Sequence, residues 1–235
     1  MYLFYEPDFS TNGNILSQDE SKHCIRVLRH QNGDTISVMD GKGSIYSAKI
    51  INANQKKCEL AIIETKTDAP RSFSIHMAVA PTKNIDRFEW FLEKATEIGV
   101  EEITPILCEH SERKIIKPER LEKVIIAAAK QSLKAYTPKL NPLVRYKDFI
   151  ATQQNNTISY IAHCENSPKE LLQKAYTKNS NAIVLIGPEG DFSSNEIAIA
   201  KKAECKEISL GKERLRTETA ALMGCATINL INQLQ

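Results

Sequence analysis

Ala182-Ile183-Val184-Leu185-Ile186-Gly187-Pro188-Glu189-Gly190-Asp191-Phe192-Ser193-Ser194-Asn195-Glu196 is the stretch on which the fold turns. Five apolar residues in succession fit a strand covered on both faces, as in a parallel sheet. Gly187, Pro188 and Gly190 end that run. Ser193 followed three residues later by Glu196 is a capping box, so a helix opens here and is expected to reach about Ala203. A buried strand, a short loop and a capped helix make half of a βαβ unit, which puts this part of the chain in the α/β class.

The surrounding sequence repeats the pattern. Phe73 to Ala80 alternates as a strand; Asp86 with Glu89 reads as an N-cap pair; Phe88, Phe91, Leu92, Ala95 and Ile98 form a helical stripe that Gly99 stops. Ile103 to Leu107 is a short strand, and Pro118 opens a helix with Leu121, Val124, Ile125 and Ala128 on one side. Further on come a strand from Ile158 to His163, a helix around Pro168 to Tyr176, a strand from Glu207 to Leu210 and a final helix from about Thr217 to Leu234. Before Lys66-Thr67-Asp68-Ala69-Pro70-Arg71 the rhythm differs. Thr35 to Met39, Ile45 to Ile51 and Cys58 to Ile63 are short strand-like runs separated by turn residues such as Asp40-Gly41-Lys42-Gly43, as in a small β-barrel or sandwich. The expected domains are therefore 1–70 and 71–235.

At 235 residues, 42% apolar and 26% charged, the chain has ordinary globular composition. It holds no apolar run of the roughly 18 residues a membrane span needs, and its start lacks the basic lead and apolar stretch of a signal peptide. No membrane partner is expected. Six cysteines are scattered without a CxxC pair, which fits buried thiols in a reducing cytoplasm and no metal site. Net charge is only +2, but residues 112–147 carry ten basic and three acidic side chains, a local net of +7. Charge alone leaves open whether that stripe holds phosphates or is a solvated helix face.

Two segments stand out chemically. Ile186-Gly187-Pro188-Glu189-Gly190 follows the most apolar strand, and ligands of open α/β sheets lie beyond the carboxyl ends of the strands. Glycines there let backbone approach a ligand, although a plain βα turn has the same composition. Leu210-Gly211-Lys212-Glu213-Arg214-Leu215-Arg216-Thr217-Glu218-Thr219-Ala220 again follows a strand and opens a helix. It crowds a guanidinium, two hydroxyls and a carboxylate at a helix start. By itself it also reads as an ordinary Thr217 cap with an Arg216–Glu218 surface ion pair.

Together, IGPEG and LRTETA resemble the bacterial 16S ribosomal RNA methyltransferases that modify N3 of a uridine, a family of the SPOUT or α/β-knot superfamily. The resemblance extends over Lys83 to Arg87, Lys94 to Val100, Ile103 to Pro105 and His23 to Arg29, and so over essentially the whole chain. It implies an N-terminal PUA-like β-barrel that binds RNA, a C-terminal domain with a parallel sheet and a deep trefoil knot, and a homodimer acting on the small ribosomal subunit. It implies S-adenosylmethionine as cofactor, bound by Ile186, Gly187, Pro188, Glu189, Gly190, Leu210, Gly211, Leu215, Arg216, Thr217, Thr219 and Ala220. The GxGxxG of a Rossmann methyltransferase is missing, as suits a knot-type site. Asp191 stands where the family commonly has glycine, Glu213 near a common arginine, Lys130 for a glutamate and Lys134 for an arginine.

N3 of uracil must lose an imide proton to accept a methyl group, and the nascent anion needs a positive neighbour. Arg216 is the expected positive group, and Glu218 the proton acceptor or the residue that orients Arg216. Lys83, Arg87 and Arg113 are expected at the RNA entrance. His23, Arg26 and Arg29 are spaced to share a helical face in the barrel, where they grip phosphates or simply cap a surface turn. Two other readings stay open: ribose 2′-O-methylation, as other knotted enzymes perform, and a non-catalytic ribosome-assembly factor.

Overall fold

The computed structural model describes residues 2–152 and 157–234. Met1, where the reading of the N-terminus begins, and Gln235, the end of the second expected domain, lie outside them. The chain divides into two compact units, Met1–Pro70 with Ile126–Thr137, and Arg71–Ile125 with Pro138–Gln235.

The first unit holds β1 (Leu3–Tyr5), α1 (Gln18–Lys22) continuing into a π-helical turn (His23–Val27), β2 (Thr35–Met39), β3 (Ser44–Asn52) and β4 (Glu59–Thr67). The strands form one sheet in sequence order, β1 parallel to β2 and the rest antiparallel. Period-two alternation sends Ile36, Val38, Ala48, Ile50 and Leu60 inward, where they meet Phe4, Phe9, Leu16, Cys24 and Cys58. Two register shifts in the β3–β4 pairing, at Ser47/Ala48 and Ile50/Asn52, bend the sheet over this core.

The second unit contains β5 (Ile75–Val79), α2 (Ile85–Ile98), β6 (Glu102–Leu107), α3 (Pro118–Gln131), β7 (Lys139–Leu140), β8 (Val144–Arg145), α4 (Tyr146–Ala151), β9 (Ile158–Ala162), β10 (Glu170–Leu171), α5 (Leu172–Ala175), β11 (Ala182–Ile186), α6 (Ser194–Lys202), β12 (Lys206–Ser209) and α7 (Thr217–Gln233). The last turns of α3 belong to the first unit, where Ala129 packs with Leu3 and Met39. The sheet runs β10-β12-β9-β11-β5-β6-β7, with β8 also on β6, and every pairing is parallel. All five residues of β11 are buried because both faces are covered. Val184, Ile186, Met77, Val79 and Tyr160 meet Phe88, Phe91 and Leu92 of α2 and Ala221, Cys225 and Ile228 of α7. Ile183, Leu185, Ala78 and Ile161 point the other way, to Tyr146 and Phe149 of α4 and Ile197 and Ala200 of α6.

Several local expectations shift. Asn84, not Asp86, caps α2, its side chain accepting from Asp86 N at 3.1 Å. Gly99 ends that helix as expected, at φ 112°, in the region glycine enters freely. The helix expected from Pro168 shrinks to Leu172–Ala175, because Glu170 and Leu171 stay extended and pair with Ile208 and Ser209. Among the described residues no helix is long and apolar enough to cross a membrane.

Candidate active site

Because the strands are parallel, the loops after β5, β6, β9, β11 and β12 emerge at one edge of the sheet. Side chains lace four of them together. After β11, Asp191 N donates to Pro188 O at 2.9 Å and closes a turn. The Glu189 carboxylate accepts from Lys83 N at 2.9 Å, which ties this turn to the loop after β5. His110, on the loop after β6, has Nδ1 3.0 Å from the carbonyls of both Gly190 and Asp191. A Cβ at Gly187 would stand 3.1 Å from Phe192, and one at Gly190 would stand 3.0 Å from His110 Cβ. A side chain at either position would therefore press on its protein neighbours, which would have to give by a few tenths of an ångström.

Asp191 adopts φ 63°, a conformation that favours glycine, and its carboxylate makes use of it. Oδ1 accepts from Phe192 N at 2.8 Å and Oδ2 from Cys164 N at 2.7 Å, which joins the loops after β11 and β9. The helix that follows is held by the full capping box of Ser193 and Glu196. Glu196 is buried, and its other oxygen accepts from Glu109 N at 2.9 Å.

β9 lies between β11 and β12, so His163 stands at the strand edge between the two sequence-predicted loops. Its side chain is wholly buried. Nε2 is 2.9 Å from Glu207 Oε1, while Nδ1 has no hydrogen-bond partner among the described residues. Burial, then the Lys169 charge, lowers the His163 pKa. Burial pushes Glu207 up, but hydrogen bonds from Lys201, Ser167 and His163 together hold it below the ordinary carboxylate value.

The loop after β12 is more open. Gly211 has φ 137° and nothing near its Cβ position. Lys212, Arg214 and Arg216 are exposed, with no side-chain hydrogen bond or ion pair among the described residues. Arg216 is the N-cap of α7, although its side chain makes no capping bond, and Thr217 is the first helical residue. Leu215, Thr219 and Ala220 are half-buried, and Thr217 and Glu218 are buried. Glu218 Oε1 lies 3.9 Å from Arg87 Nε, and Oε2 has no hydrogen-bond partner among the described residues. The adjacent-pair alternative, a surface contact between Arg216 and Glu218, is therefore not what forms.

Among the cations expected at the entrance, Arg113 donates to the carbonyls of Thr82 at 2.9 Å and Lys83 at 2.5 Å. Lys83 pairs with Glu112 at 2.8 Å, which raises its pKa. In the first unit His23, Arg26 and Arg29 are all exposed. Arg29 lies beyond the π-helical turn at φ 60°, so the shared helical face ends before it.

The sequence assigns His110 and His163 no role at the site and leaves out Glu207 and the bracing role of Asp191. Only His163 carries a signal, its place at the end of a strand. Among the described residues no group of three or more His, Cys, Asp or Glu is placed to hold a metal ion.

The chain matches the family model described as RNA methyltransferase domain over residues 69–229, and that described as RNA methyltransferase PUA domain over residues 16–63. It is 30% identical to ribosomal RNA small subunit methyltransferase E of Aquifex aeolicus, over 94% of this chain and 96% of the relative. A probable rRNA-methyltransferase from Porphyromonas gingivalis superposes with a TM-score of 0.92 at 40% identity, over 99% and 98% of the two chains. Ribosomal RNA small subunit methyltransferase E from Neisseria gonorrhoeae, bound to S-adenosyl methionine, superposes with a TM-score of 0.86 at 27% identity, over 98% and 97%.

Proposed function

Since the chain belongs to the ribosomal RNA small subunit methyltransferase E family of RNA methyltransferases, we propose that it methylates N3 of one uridine in 16S ribosomal RNA, using S-adenosylmethionine. The observation that carries the reading is Glu218. A buried carboxylate oxygen without a hydrogen bond costs about 1–3 kcal/mol or more, and Oε2 is in that state in the first turn of α7. A bound N–H donor removes the cost, and the imide N3–H of uracil is such a donor.

The residues present fit the cofactor. The loops after β11 and β12 leave strands separated by one strand, roughly 10 Å apart at standard spacing. Gly211 leaves open space at its α-carbon, and five loops offer backbone at the same edge. Ile186 to Gly190 would hold one side of the cofactor, and Leu210, Gly211, Leu215, Arg216, Thr217, Thr219 and Ala220 the other. S-adenosylmethionine supplies a methyl group already activated on a sulfonium. Orientation then accounts for much of the rate. Arg216, exposed and without a side-chain partner among the described residues, neutralises the charge that develops on uracil, while Glu218 accepts the N3 proton. Arg87 beside Glu218 positions that carboxylate. Lys83 and Arg113 act at the entrance by bracing the loop after β5, and His23, Arg26 and Arg29 contribute exposed charge to RNA binding by the first unit.

The same reading includes the knot, the barrel and the dimer. The trefoil knot is supported by α7, which follows a strand next to the sheet edge yet packs on β5, β11 and α2 at its centre. A PUA-like barrel accounts for the bent sheet of residues 1–70, and the methyltransferase domain for 71–235. Homodimerisation is supported by Met223 and Leu230, exposed at heptad spacing on α7, by exposed Leu234 at its C-cap, and by exposed Trp90 on α2. Six free cysteines, five of them buried, suit a reducing cytoplasm.

The deciding experiment is methyl transfer from labelled S-adenosylmethionine to small subunits that lack the modification, followed by nucleoside mass spectrometry. The expected product is 3-methyluridine. A 2′-O-methylated nucleoside would move the target to the ribose, and absence of both label and cofactor binding would overturn the enzymatic reading.

A further inference from the structure

We propose that the loop before α3 is an RNA-contact element, in which Ile115 packs on the face of an unpaired base while Lys114 and Lys117 neutralise the flanking phosphates. The inference rests on the RNA substrate proposed above and adds residues that the motifs do not reach.

Ile115 is 79% exposed, more than any other large hydrophobic residue among those described. A single exposed aliphatic side chain needs no explanation on a floppy surface, but this loop is pinned on both flanks. Ser111 is buried and accepts from Cys108 N at 3.0 Å. Arg113 spends its donors on the carbonyls of Thr82 and Lys83. Ile116 packs against the main core, and Lys117 O receives the first backbone bonds of α3, from Arg120 and Leu121. Neighbouring isoleucines are thus divided, one anchoring the loop and one held outward.

The chemistry around Ile115 selects the partner. Lys114 and Lys117 are exposed and have no side-chain hydrogen bond or ion pair among the described residues. The nearby acid Glu112 is engaged by Lys83, and Glu119 lies in the first turn of α3. An apolar group between two free cations matches single-stranded RNA, which alternates apolar base faces with phosphates. A second protein copy fits less well, because lysine is depleted from protein–protein interface cores. The loop also stands beside the candidate site, since His110 and Arg113 bond to the loops after β11 and β5.

The test is RNA affinity of the full chain for unmethylated small subunits across a salt series, with cofactor affinity and oligomeric state measured in parallel. Ile115→Ala is expected to weaken RNA binding about tenfold, roughly the burial of two methylenes, since the three carbons lost are covered by the base on one side only, with the salt slope unchanged. The double variant Lys114→Ala, Lys117→Ala should flatten the slope of log affinity against log salt by about 1.4, at about 0.7 per phosphate contact on a single strand. Cofactor affinity should stay at the wild-type value in both. Unchanged RNA affinity in Ile115→Ala, with wild type still binding, overturns this inference alone. Dissociation of an oligomer by Ile115→Ala overturns it in favour of a contact between copies. Failure of wild type to bind the RNA overturns it together with the proposed function.

Discussion

Asp191 shows how one residue can do what its position disfavours. A left-handed backbone costs a residue with a side chain about 1–2 kcal/mol, yet the carboxylate receives two backbone N–H groups, and bonds to a charged acceptor contribute about 1.5–3 kcal/mol each. Asp191→Gly relieves the backbone and frees the loop after β9 from the loop after β11. We expect cofactor affinity to fall several-fold, the cost of about 1 kcal/mol, with partial recovery in Asp191→Asn, which keeps one acceptor oxygen. Calorimetric titration of both variants measures this, and wild-type affinity in Asp191→Gly would remove the bracing role. Arg216 makes the opposite case. Among the described residues nothing holds its side chain, so Arg216→Ala, which keeps the backbone that lines the cofactor side, should bind cofactor normally and lose methyl transfer by about 100-fold or more, as for removal of a charge-stabilising donor. Single-turnover assays alongside cofactor titration separate the two effects, and unchanged turnover would take Arg216 out of the mechanism.

At the scale of the element, α6 is the helix whose start is most fully specified. The motif Ser193-Ser194-Asn195-Glu196 is legible in the sequence, and both reciprocal bonds form, Ser193 N to Glu196 Oε2 at 2.9 Å and Glu196 N to Ser193 Oγ at 3.2 Å. Loss of such a cap costs about 1 kcal/mol. Ser193→Ala should therefore lower the melting temperature by about 2–4 °C for a chain of this size, and a scanning calorimeter resolves that shift. The cap of α2 is less legible, since Asn84 and Asp86 are both good capping residues and only the bond from Asp86 N to the Asn84 side chain distinguishes them. The short α5 was misread for a related reason. Glu170 and Leu171 have no strong strand preference; the free edge of β12 recruits them.

At the scale of the whole molecule, burial couples two histidines to pH. Burial lowers the pKa values of His76 and His163 from the ordinary 6.5. The unfolded chain therefore takes up protons below about pH 6.5 that the folded chain resists, so stability declines as pH falls through that region. The decline is at most about 1.4 kcal/mol per pH unit for each histidine. Glu102 and Glu207, held below the carboxylate value of 4.5, add their loss only at lower pH. Urea unfolding between pH 7.5 and 5.5 should show the decline, and His163→Gln should flatten it. A midpoint independent of pH over that range would count against neutral buried histidines.

The sequence by itself determined the parallel α/β class, the strand and helix around each motif, and the two loops singled out as the candidate site. These follow from near-neighbour chemistry, namely apolar period, caps and turn residues, which act within a few positions of each other. Only the tertiary structure decided that β9 lies between β11 and β12, and hence that His163 stands between the motifs. Only it decided that Arg113 serves the backbone of Thr82 and Lys83, that Glu218 faces Arg87, and that Ile115 is held outward. Each of these depends on which distant segments the sheet order brings to one edge, and strand order is a property of the packed whole that no local pattern encodes.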